Sequence, residues 1–363
     1  MPRIAAAATA LPPHVISQAE ARAACERIYA GNPALLRLLR VFDHSGVETR
    51  HFAFPQEYYL SDRSFEQRNA DFIEQGSLLA ERAARTCLER AGLRADQVDH
   101  FFLVTTTGLA TPSLDALVAP RLGLRPDARR WPLFGLGCAG GAGGIIRAGE
   151  ILRAFPNERA LVVAVELCGQ VFSLRATNPT DLVGAALFGD GAAAVLIAGD
   201  ETPVPPVPSE AASGSRVERG PKIHAARTVL FAESKHLMGW DFTSRGMRLV
   251  LSQEVTDLVR RRLRPVVEAF LSANGLSLRS ITHWILHPGG RRIIEAYREA
   301  FACDDAALKW TRTSLARVGN LSSASVLFAL TDVLESGRAR EGDKGLMVAL
   351  GPGFGAEMLV LAW

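Results

Sequence analysis

Cys138 lies in a glycine-rich corner that favours a reactive thiol. Residues 135–141 read Gly-Leu-Gly-Cys-Ala-Gly-Gly, after a short apolar run and before a helical pattern. The glycines permit a tight turn and a close approach of backbone. A cysteine at the start of a helix also gains from the helix dipole, which lowers the pKa of the thiol. The sequence therefore predicts that Cys138 is a nucleophile.

Other interpretations of this corner compete with a nucleophile. Most cysteines are simply buried apolar residues. The Gly-x-Gly-x-x-Gly spacing that starts at Gly135 also matches a dinucleotide-binding fingerprint, with Glu166 as its ribose-binding acid. That match is weak, because the fingerprint usually opens a domain near its first strand. The nucleophile elbow of serine hydrolases needs glycine two positions before the nucleophile, where this chain has Leu136, so its spacing fails.

The second half of the chain repeats features of the first half in the same order. The repeated pairs are residues 92–103 and 275–286, Gly137-Cys138 and Gly319-Asn320, and residues 187–197 and 350–361. Each member of a pair joins a glycine corner to an apolar strand or to a helix. Two similar units of alternating helices and strands are expected to pack together, with their strand ends meeting at the junction. Partners of Cys138 are therefore expected at equivalent strand ends of the second half.

His287 and Asn320 are the polar residues at those strand ends. His287 stands where Pro-Gly-Gly stops an apolar strand, so its side chain can point into a site. His100 and His283 lie within the repeated strands and are expected to be structural histidines. Asn320 precedes a helix, so helix capping is its alternative role. Papain-like proteases share the order Cys, His, Asn, but their cysteine lies in a different motif near the mature N-terminus.

Composition limits the classes of function. The chain has 363 residues, 48% of them hydrophobic, which is enough for a large core in two domains or one duplicated domain. Its net charge is +3, so nucleic acid is not an expected partner. No uncharged apolar stretch reaches the roughly 18 residues that a membrane-spanning helix needs. Five scattered cysteines without a Cys-x-x-Cys pair indicate no metal or redox site and favour the cytoplasm.

Periodicity predicts the elements that position these residues. Helices are expected at residues 17–30, 33–42 and 64–91, a strand at 98–105 and a surface loop at 202–222. The second helix and the turn after it place Arg37, Arg40 and His44 on roughly one face. This group is either a binding patch for an anionic ligand or, more commonly for such charges, a solvated face.

These motifs resemble those of the type III polyketide synthases, the chalcone synthase-like branch of the thiolase superfamily. The resemblance spans nearly the whole chain and rests on Gly-Leu-Gly-Cys138-Ala-Gly-Gly, Leu-Phe188-Gly-Asp-Gly-Ala-Ala-Ala, Leu-His287-Pro-Gly-Gly, Gly-Asn320-Leu-Ser-Ser-Ala and Gly351-Pro-Gly-Phe-Gly. It implies an α/β thiolase fold with a duplicated αβαβα five-layer architecture, and a homodimer. Residues 1–222 would form the half that carries the cysteine, and residues 223–363 the half that carries the histidine and asparagine.

The resemblance also implies a reaction. Cys138, His287 and Asn320 would form a triad that decarboxylates malonyl-CoA and condenses it iteratively onto an enzyme-bound acyl starter. An imidazolium at His287 would stabilise the Cys138 thiolate. The imidazole N–H and the Asn320 amide would then hold the thioester oxygen while enolate charge develops there. The expected ligands are acyl-CoA and malonyl-CoA, with no cofactor and no metal.

The family's substrate positions can be assigned residue by residue. Phe188 matches the gatekeeping phenylalanine between the coenzyme A tunnel and the cavity, and the second gatekeeper position carries Leu249, which should widen the passage. Trp240 stands where the plant enzymes have glycine. Core packing is the alternative role of Phe188 and Trp240. The remaining assignments are Thr106, Thr111, Gly351 and Pro352 to the substrate cavity, and Arg37, Arg40 and His44 to the phosphates of coenzyme A.

Within the family, Phe54-Pro-Gln-Glu-Tyr-Tyr-Leu and Met238-Gly-Trp240-Asp are most similar to bacterial synthases that use long fatty acyl starters. The expected product is an alkylresorcinol, made by three malonyl extensions and aldol closure. The alternatives are an alkylpyrone synthase, a condensing enzyme like the ketoacyl-carrier-protein synthases, and an acyl-CoA-binding protein without turnover.

Overall fold

The structure is a computed structural model that describes residues 1–171, 179–203, 220–243 and 246–363. The strands are β1 (Arg3–Ala10), β2 (His14–Ser17), β3 (Thr49–Phe52), β4 (His100–Thr105), β5 (Arg129–Phe134), β6 (Arg159–Leu167), β7 (Asp190–Ala198), β8 (Lys222–Leu230), β9 (Met238–Thr243), β10 (Gly246–Leu251), β11 (His283–Leu286), β12 (Lys344–Gly351) and β13 (Gly355–Ala362). The helices are α1 (Gln18–Ile28), α2 (Pro33–Leu38), α3 (Arg40–His44), α4 (Gln56–Leu60), α5 (Phe65–Arg90), α6 (Leu114–Leu122), α7 (Gly140–Ala154), α8 (Pro179–Leu187), α9 (Glu254–Leu258), α10 (Arg264–Ser272), α11 (Arg291–Phe301), α12 (Lys309–Val318) and α13 (Ser325–Glu335).

The main sheet has nine strands in the order β11-β12-β13-β8-β1-β7-β6-β4-β5. Its two parts meet at β1 and β8, which share a single residue pair, Arg3 with Lys222. The first part holds the strands from the first half of the chain, and the second part holds β8 and β11–β13. Within them, β4 runs parallel to β5 and β6, and β11 runs parallel to β12. Parallel neighbours bring their carboxyl ends to one edge, which is where the candidate residues lie.

Helices cover both parts of the sheet. One hydrophobic cluster joins α5 and α6 to the outer face of the first part, and another joins α10, α11 and α12 to the outer face of the second part. Between the parts, α7 and α13 bury most of their residues and pack against strands of both halves. The result is the five-layer αβαβα architecture that the family resemblance implies, and this prediction is confirmed.

The duplication is visible in the backbone. The helices α5 and α10 each end before a glycine with positive φ, Gly92 at 64° and Gly275 at 69°. A short 3-10 turn follows each glycine and leads into β4 or β11. Those strands begin with His100 and His283, both buried and each hydrogen-bonded to a carboxylate, as expected of structural histidines.

The predicted helices form with small shifts. Helix α1 begins after Ser17, whose side chain and that of Glu20 make reciprocal capping bonds. The helix expected at 33–42 is two short helices, α2 and α3, that break at Leu39. Most of the loop expected at 202–222 lies outside the described residues, and its last residue, Lys222, begins β8. Across the described ranges, no helix is long and apolar enough to cross a bilayer.

Candidate active site

Cys138 lies in a 3-10 turn, Gly137–Ala139, between the end of β5 and the start of α7. Gly137 has φ of 49°, and a Cβ there would meet Pro352 Cδ at 2.4 Å, so only glycine fits. The Cys138 Sγ lies 3.7 Å from the Ser322 hydroxyl, which comes from the second half of the chain. Cys138 is partly exposed, whereas Cys25, Cys87 and Cys168 are buried.

Asn320 follows α12 and combines a capping role with a place in the site. Its side-chain oxygen accepts the backbone N–H of Ser322 at 2.9 Å and the Ser325 hydroxyl at 3.3 Å. Because these two bonds hold the side-chain oxygen, the amide NH₂ of Asn320 points away from Ser322 and Ser325. Hydrogen bonding from the Asn320 side chain is one of the influences that lower the pKa of Cys138.

His287 follows β11 at the same edge of the sheet. Its backbone N–H donates to Val348 O at 2.9 Å, and its side chain is 3% exposed. The neighbouring strand β12 ends at Gly351, and a Cβ on Gly351 would meet the Ala139 Cβ at 2.7 Å. The ends of β11 and β12 therefore lie against the turn that carries Cys138. In the described part of the chain, the His287 ring makes no direct hydrogen bond to Cys138.

Burial opposes a lone charge on either Cys138 or His287. It raises the pKa of the Cys138 thiol to about 12, against hydrogen bonds from Ser322 and Asn320 that lower it. It lowers the pKa of His287 to about 3. The expectation that the helix start lowers the thiol pKa is therefore wrong for Cys138 beside a neutral His287, because desolvation by burial is the largest influence on this pKa. Opposite charges that formed together on the two side chains would offset part of this cost.

Glu166 is a buried carboxylate that the sequence analysis considered only as the acid of the dinucleotide-binding alternative. It is 0% exposed and accepts hydrogen bonds from the Thr106 N–H and hydroxyl, both at 3.0 Å, from the Thr107 hydroxyl at 2.8 Å, and from Ser323. Burial raises its pKa against these bonds, and its charge also raises the pKa of Cys138. Because its oxygens are occupied by protein hydroxyls, the structure argues against a ribose-binding role. The run of three threonines at residues 105–107 was the sequence signal that could have indicated these hydrogen bonds to Glu166.

The predicted gatekeeper residues lie next to the triad candidates. Phe188 is 7% exposed, and its backbone forms a bridge with Asn320. Leu249 on β10 is directly opposite Trp240 on β9. Leu249 and Phe188 belong to one hydrophobic cluster, and Trp240 is half-buried against it. Thr111, in contrast, is exposed at the end of the loop that follows β4.

The three predicted coenzyme A residues are exposed on α2 and α3. Arg37 lies on α2, and Arg40 and His44 lie on α3. The N-terminus of α11 approaches this group, because the Arg291 N–H donates to Ser45 O at 3.1 Å. The Arg291 guanidinium itself forms an ion pair with Glu295 at 2.9 Å.

Arg50 is a second residue that sequence reasoning missed. This β3 arginine is 1% exposed, and its Nη1 donates to the carbonyls of Ala185 and Phe188. Its stem also packs against Gly319, where a Cβ would meet Arg50 Cγ at 2.9 Å. Burial lowers its pKa to about 10, so it stays charged at neutral pH. Arg50 thus holds together the segments that carry Phe188 and Asn320, and no sequence signal separated it from surface arginines.

Metal ligation has no evident place in the site. Within the residues that the structure describes, no three His, Cys, Asp or Glu side chains come together as potential ligands. The expectation that the reaction needs no cofactor stays a prediction.

Both halves of the chain match one known family. The N-terminal domain of the chalcone and stilbene synthases matches residues 2–201, and their C-terminal domain matches residues 222–362. A 1,3,6,8-tetrahydroxynaphthalene synthase of Streptomyces peucetius subsp. caesius is 40% identical over 363 residues, covering 99% of this chain and 93% of that protein. A 3,5-dihydroxyphenylacetyl-CoA synthase of Streptomyces toyocaensis is 30% identical, covering 89% of this chain and 82% of that protein.

Solved structures agree with this assignment. The 1,3,6,8-tetrahydroxynaphthalene synthase of Streptomyces coelicolor A3(2), a bacterial type III polyketide synthase, superposes with a TM-score of 0.91 at 28% identity and covers 99% of both chains. The five-layer fold, the corner that carries Cys138 and the match over both halves lead to the same conclusion: the chain belongs to the chalcone and stilbene synthase family of type III polyketide synthases, which are acyltransferases of the thiolase fold.

Proposed function

We propose that this type III polyketide synthase condenses a fatty acyl-CoA starter with malonyl-CoA by iterative decarboxylative Claisen condensation and closes the product to an alkylresorcinol. Family membership supports the condensation. The observation that carries the choice of starter is an apolar pocket beside Phe188.

This pocket has an empty volume of about 550 Å³, including its open mouth. Helix α1 supplies one wall through Ala24 and Cys25, and Phe52 and Phe188 line the other sides. Gly169 also lines the pocket, and a Cβ there would meet Phe52 Cδ1 at 2.7 Å. An apolar lining of this kind favours an alkyl chain, and each buried methylene contributes ~0.8 kcal/mol.

We propose that the pocket receives the tail of an acyl group held on Cys138, and two observations support this. Phe188 lines the pocket, while its backbone pairs with Asn320. Gly169 directly follows Cys168, a thiol whose pKa responds to the charge of Cys138. These two observations support a path for the acyl tail along Phe188 and the end of β6.

The proposed chemistry uses the triad in two stages. The Cys138 thiolate attacks the starter thioester, and coenzyme A leaves with the proton that His287 had taken. Malonyl-CoA then loses CO₂, and the Asn320 amide with the His287 N–H stabilises the enolate oxygen. The enolate carbon attacks the acyl carbonyl, the bond to Cys138 Sγ breaks and a β-ketoacyl-CoA forms. His287 then takes a proton from solvent, which restores the thiolate–imidazolium pair for the next round. Exposed Arg37, Arg40 and His44 would contact the phosphates of coenzyme A.

A second candidate function uses malonyl-CoA as both starter and extender. The 40% identity to a tetrahydroxynaphthalene synthase favours it. The two candidates differ in the need for the apolar pocket, since a malonyl-derived chain has no alkyl tail to bury.

Starter preference separates these candidates. Products from malonyl-CoA alone and with hexanoyl-, decanoyl- or palmitoyl-CoA are identified by chromatography with mass spectrometry. We expect kcat/KM to rise with chain length. Ala24→Phe fills the pocket and should lower kcat/KM for palmitoyl-CoA at least tenfold, roughly the value of two buried methylenes, while hexanoyl-CoA is spared. Ala30→Phe, at an exposed position near the end of α1, is the matched control. Malonyl-only products with every starter would establish the second candidate.

Trp240 is proposed to favour carbocyclic closure. Its half-buried ring opposes Leu249 and crowds the space in which a terminal enol oxygen would attack the thioester to give a pyrone. We expect alkylresorcinol from the wild type and a larger pyrone fraction from Trp240→Gly. Pyrone-only output from both proteins would establish the alkylpyrone alternative and remove this role of Trp240. We also propose that the enzyme acts in the cytoplasm as a homodimer.

A further inference from the structure

The apolar pocket beside Phe188 contains a buried cation with unused hydrogen-bond donors. Among the described residues that line the pocket, Arg50 is the only charged side chain, and it is 1% exposed. Its Nη1 donates to the carbonyls of Ala185 and Phe188. Its Nε and Nη2 have no hydrogen-bond partner in the described part of the chain. Buried donors normally have a partner, so these two call for one from outside the chain.

The guanidinium is the part of Arg50 that lies at the pocket. The stem packs against Gly319, which does not line the pocket and where a Cβ would meet Arg50 Cγ at 2.9 Å. The guanidinium carbon lies 5.5 Å from the centroid of the Phe52 ring, and Phe52 lines the pocket. Ala185 and Phe188, whose carbonyls accept from Nη1, line it as well. The free Nε and Nη2 therefore lie among pocket residues.

The side chains around Arg50 leave its positive charge without a bonded acid. Asp190 is the carboxylate that acts on the pKa of Arg50, but its oxygens accept from the N–H groups of Ala53 at 2.9 Å and Gly169 at 2.7 Å. Burial raises the pKa of Asp190 to about 7, so this group carries only part of a charge near neutral pH. Burial also raises the pKa of the Cys25 thiol in the pocket wall to about 11, so that thiol is neutral. An anion in the pocket would offset the desolvation of Arg50.

The free edge of Arg50 matches a carboxylate. Nε–H and Nη2–H point the same way from one edge of the planar guanidinium, so both oxygens of a single carboxylate can accept from them. Most of the remaining lining is apolar and includes Phe52 and, from α1 and the residues before it, Ile16, Ala21 and Ala24. The ligand that fits both features is a carboxylate attached to an alkyl chain.

We propose that a free fatty acid binds in this pocket, with both carboxylate oxygens on Nε and Nη2 of Arg50 and its alkyl chain along α1 and Phe52. The binding site stands on the pocket and Arg50 alone. Its consequence rests on the proposed function: the acid occupies the space proposed for the starter tail, so it competes with long acyl-CoA starters.

Ligands that share an alkyl chain and differ in head group test the site on the wild-type protein. Decanoate, decan-1-ol and decyltrimethylammonium are titrated below their micelle concentrations and near neutral pH in an isothermal calorimeter. We expect decanoate to bind at least about tenfold more tightly than decanol, as a charge-assisted pair of hydrogen bonds requires. The ammonium should bind more weakly than decanol. Equal affinities for decanoate and decanol, or tighter binding of the ammonium, would overturn the proposal without any variant.

Two variants locate the bound acid. Ala24→Phe fills the pocket and should abolish decanoate binding, whereas Ala30→Phe, at an exposed position, should bind as the wild type does. Arg50→Lys keeps a positive charge but lacks the parallel donors, so it should lose affinity for decanoate and keep its affinity for decanol. Wild-type affinity for decanoate in Ala24→Phe or in Arg50→Lys would reject the site.

Steady-state kinetics separate this proposal from the proposed function. Decanoate should raise KM for decanoyl-CoA and leave kcat unchanged. Binding with the expected head-group preference but without competition would reject the use of the pocket by the starter tail and leave the fatty acid site intact. Equal competition from decanoate and decanol would keep the tail pocket and reject the carboxylate site on Arg50.

Discussion

Cys138 and His287 are predicted to change charge as a pair. Burial raises the pKa of the thiol when His287 is neutral, so the thiolate is lost as the pH falls unless the imidazole accepts its proton. In the wild type we expect iodoacetamide to label Cys138 before Cys87, Cys168 or Cys303 near neutral pH. In His287→Gln, labelling at pH 7 should fall about tenfold and then climb with pH up to at least about 10. Mass-spectrometric mapping after a brief iodoacetamide pulse measures the labelling rate of Cys138 in both proteins. Superimposable pH profiles for the wild type and His287→Gln would contradict the coupling of the two charges.

Two variants of Asn320 are predicted to separate its catalytic role from its role as a helix cap. Asn320→Ala removes both the amide donor and the oxygen that accepts from Ser322, so decarboxylation should lose ~3 kcal/mol of transition-state stabilisation and the fold about 1 kcal/mol. Cys138 acylation should largely remain. Asn320→Asp is the matched control, because a carboxylate keeps the capping bonds but cannot donate. If Asn320→Asp decarboxylates malonyl-CoA at the wild-type rate, Asn320 acts only as a cap.

Motifs identified Cys138, His287 and Asn320 because each stands at a break between a strand or turn and a helix, where sequence punctuation is strong. Sequence reasoning did not recognise the structural roles of Glu166 and Arg50 in this site, for a physical reason. Their roles come from burial, and the groups that satisfy them are distant in sequence: Ser323 for Glu166, and the carbonyls of Ala185 and Phe188 for Arg50. Side-chain type alone cannot distinguish such residues from exposed ones.

At the scale of elements, α2 and α3 present the proposed coenzyme A site. Arg37→Ala and Arg40→Ala each remove one cation from an exposed surface, so each should raise KM for malonyl-CoA several-fold, and more at low ionic strength. Steady-state kinetics with malonyl-N-acetylcysteamine, which lacks the nucleotide phosphates, is the control and should show no change. Equal increases for both substrates would mean that the arginines support the fold.

Arg50 joins β3, the end of α8 and the Asn320 corner, and its loss should affect all three. Arg50→Met leaves two buried carbonyls without a donor, so we expect the free energy of unfolding to fall by about 2–4 kcal/mol. Arg90→Met is the comparison, because Arg90 also donates to a carbonyl, Ala7 O at 2.8 Å, but its side chain is 43% exposed. That change should cost about 1 kcal/mol or less. Urea denaturation measures the free energy of unfolding of both variants. Equal losses would contradict the role of Arg50 in joining these segments.

Element prediction from sequence succeeded where local signals were strong. Ser17 and Ser64 each cap a helix with a partner three residues later, which fixed the starts of α1 and α5. The break at Leu39 was missed, because residues 33–42 carry no glycine or proline after Pro33 to interrupt a helical pattern. Leu39 itself keeps right-handed helical dihedral angles, φ of −59° and ψ of −20°, and Leu35, Leu39 and Phe42 stay together on one buried face against Leu182 of α8.

At the scale of the molecule, duplication is why the sequence was informative. Two halves with the same order of elements had to bring equivalent strand ends together, so residues about 183 positions apart could be expected to meet. The join between the sheet parts was not predictable, because β1 and β8 share only one residue pair, Arg3 with Lys222, and no pattern marks it. The split at residues 222 and 223 stays a prediction.

The outer strand β5 is predicted to be the dimer contact. It is an edge of the nine-stranded sheet, and Trp131 and Phe134 on it are 36% and 50% exposed. An apolar edge strand promotes pairing with another chain unless something covers it. A second copy that pairs along β5 would cover it in both molecules. We expect light scattering after gel filtration to give a dimer, and the double variant Trp131→Lys/Phe134→Lys to give a monomer. Leu230→Lys replaces a residue that is 72% exposed on β8 and should remain dimeric. A monomeric wild type, or a double variant that still dimerises, would show that β5 is not the contact.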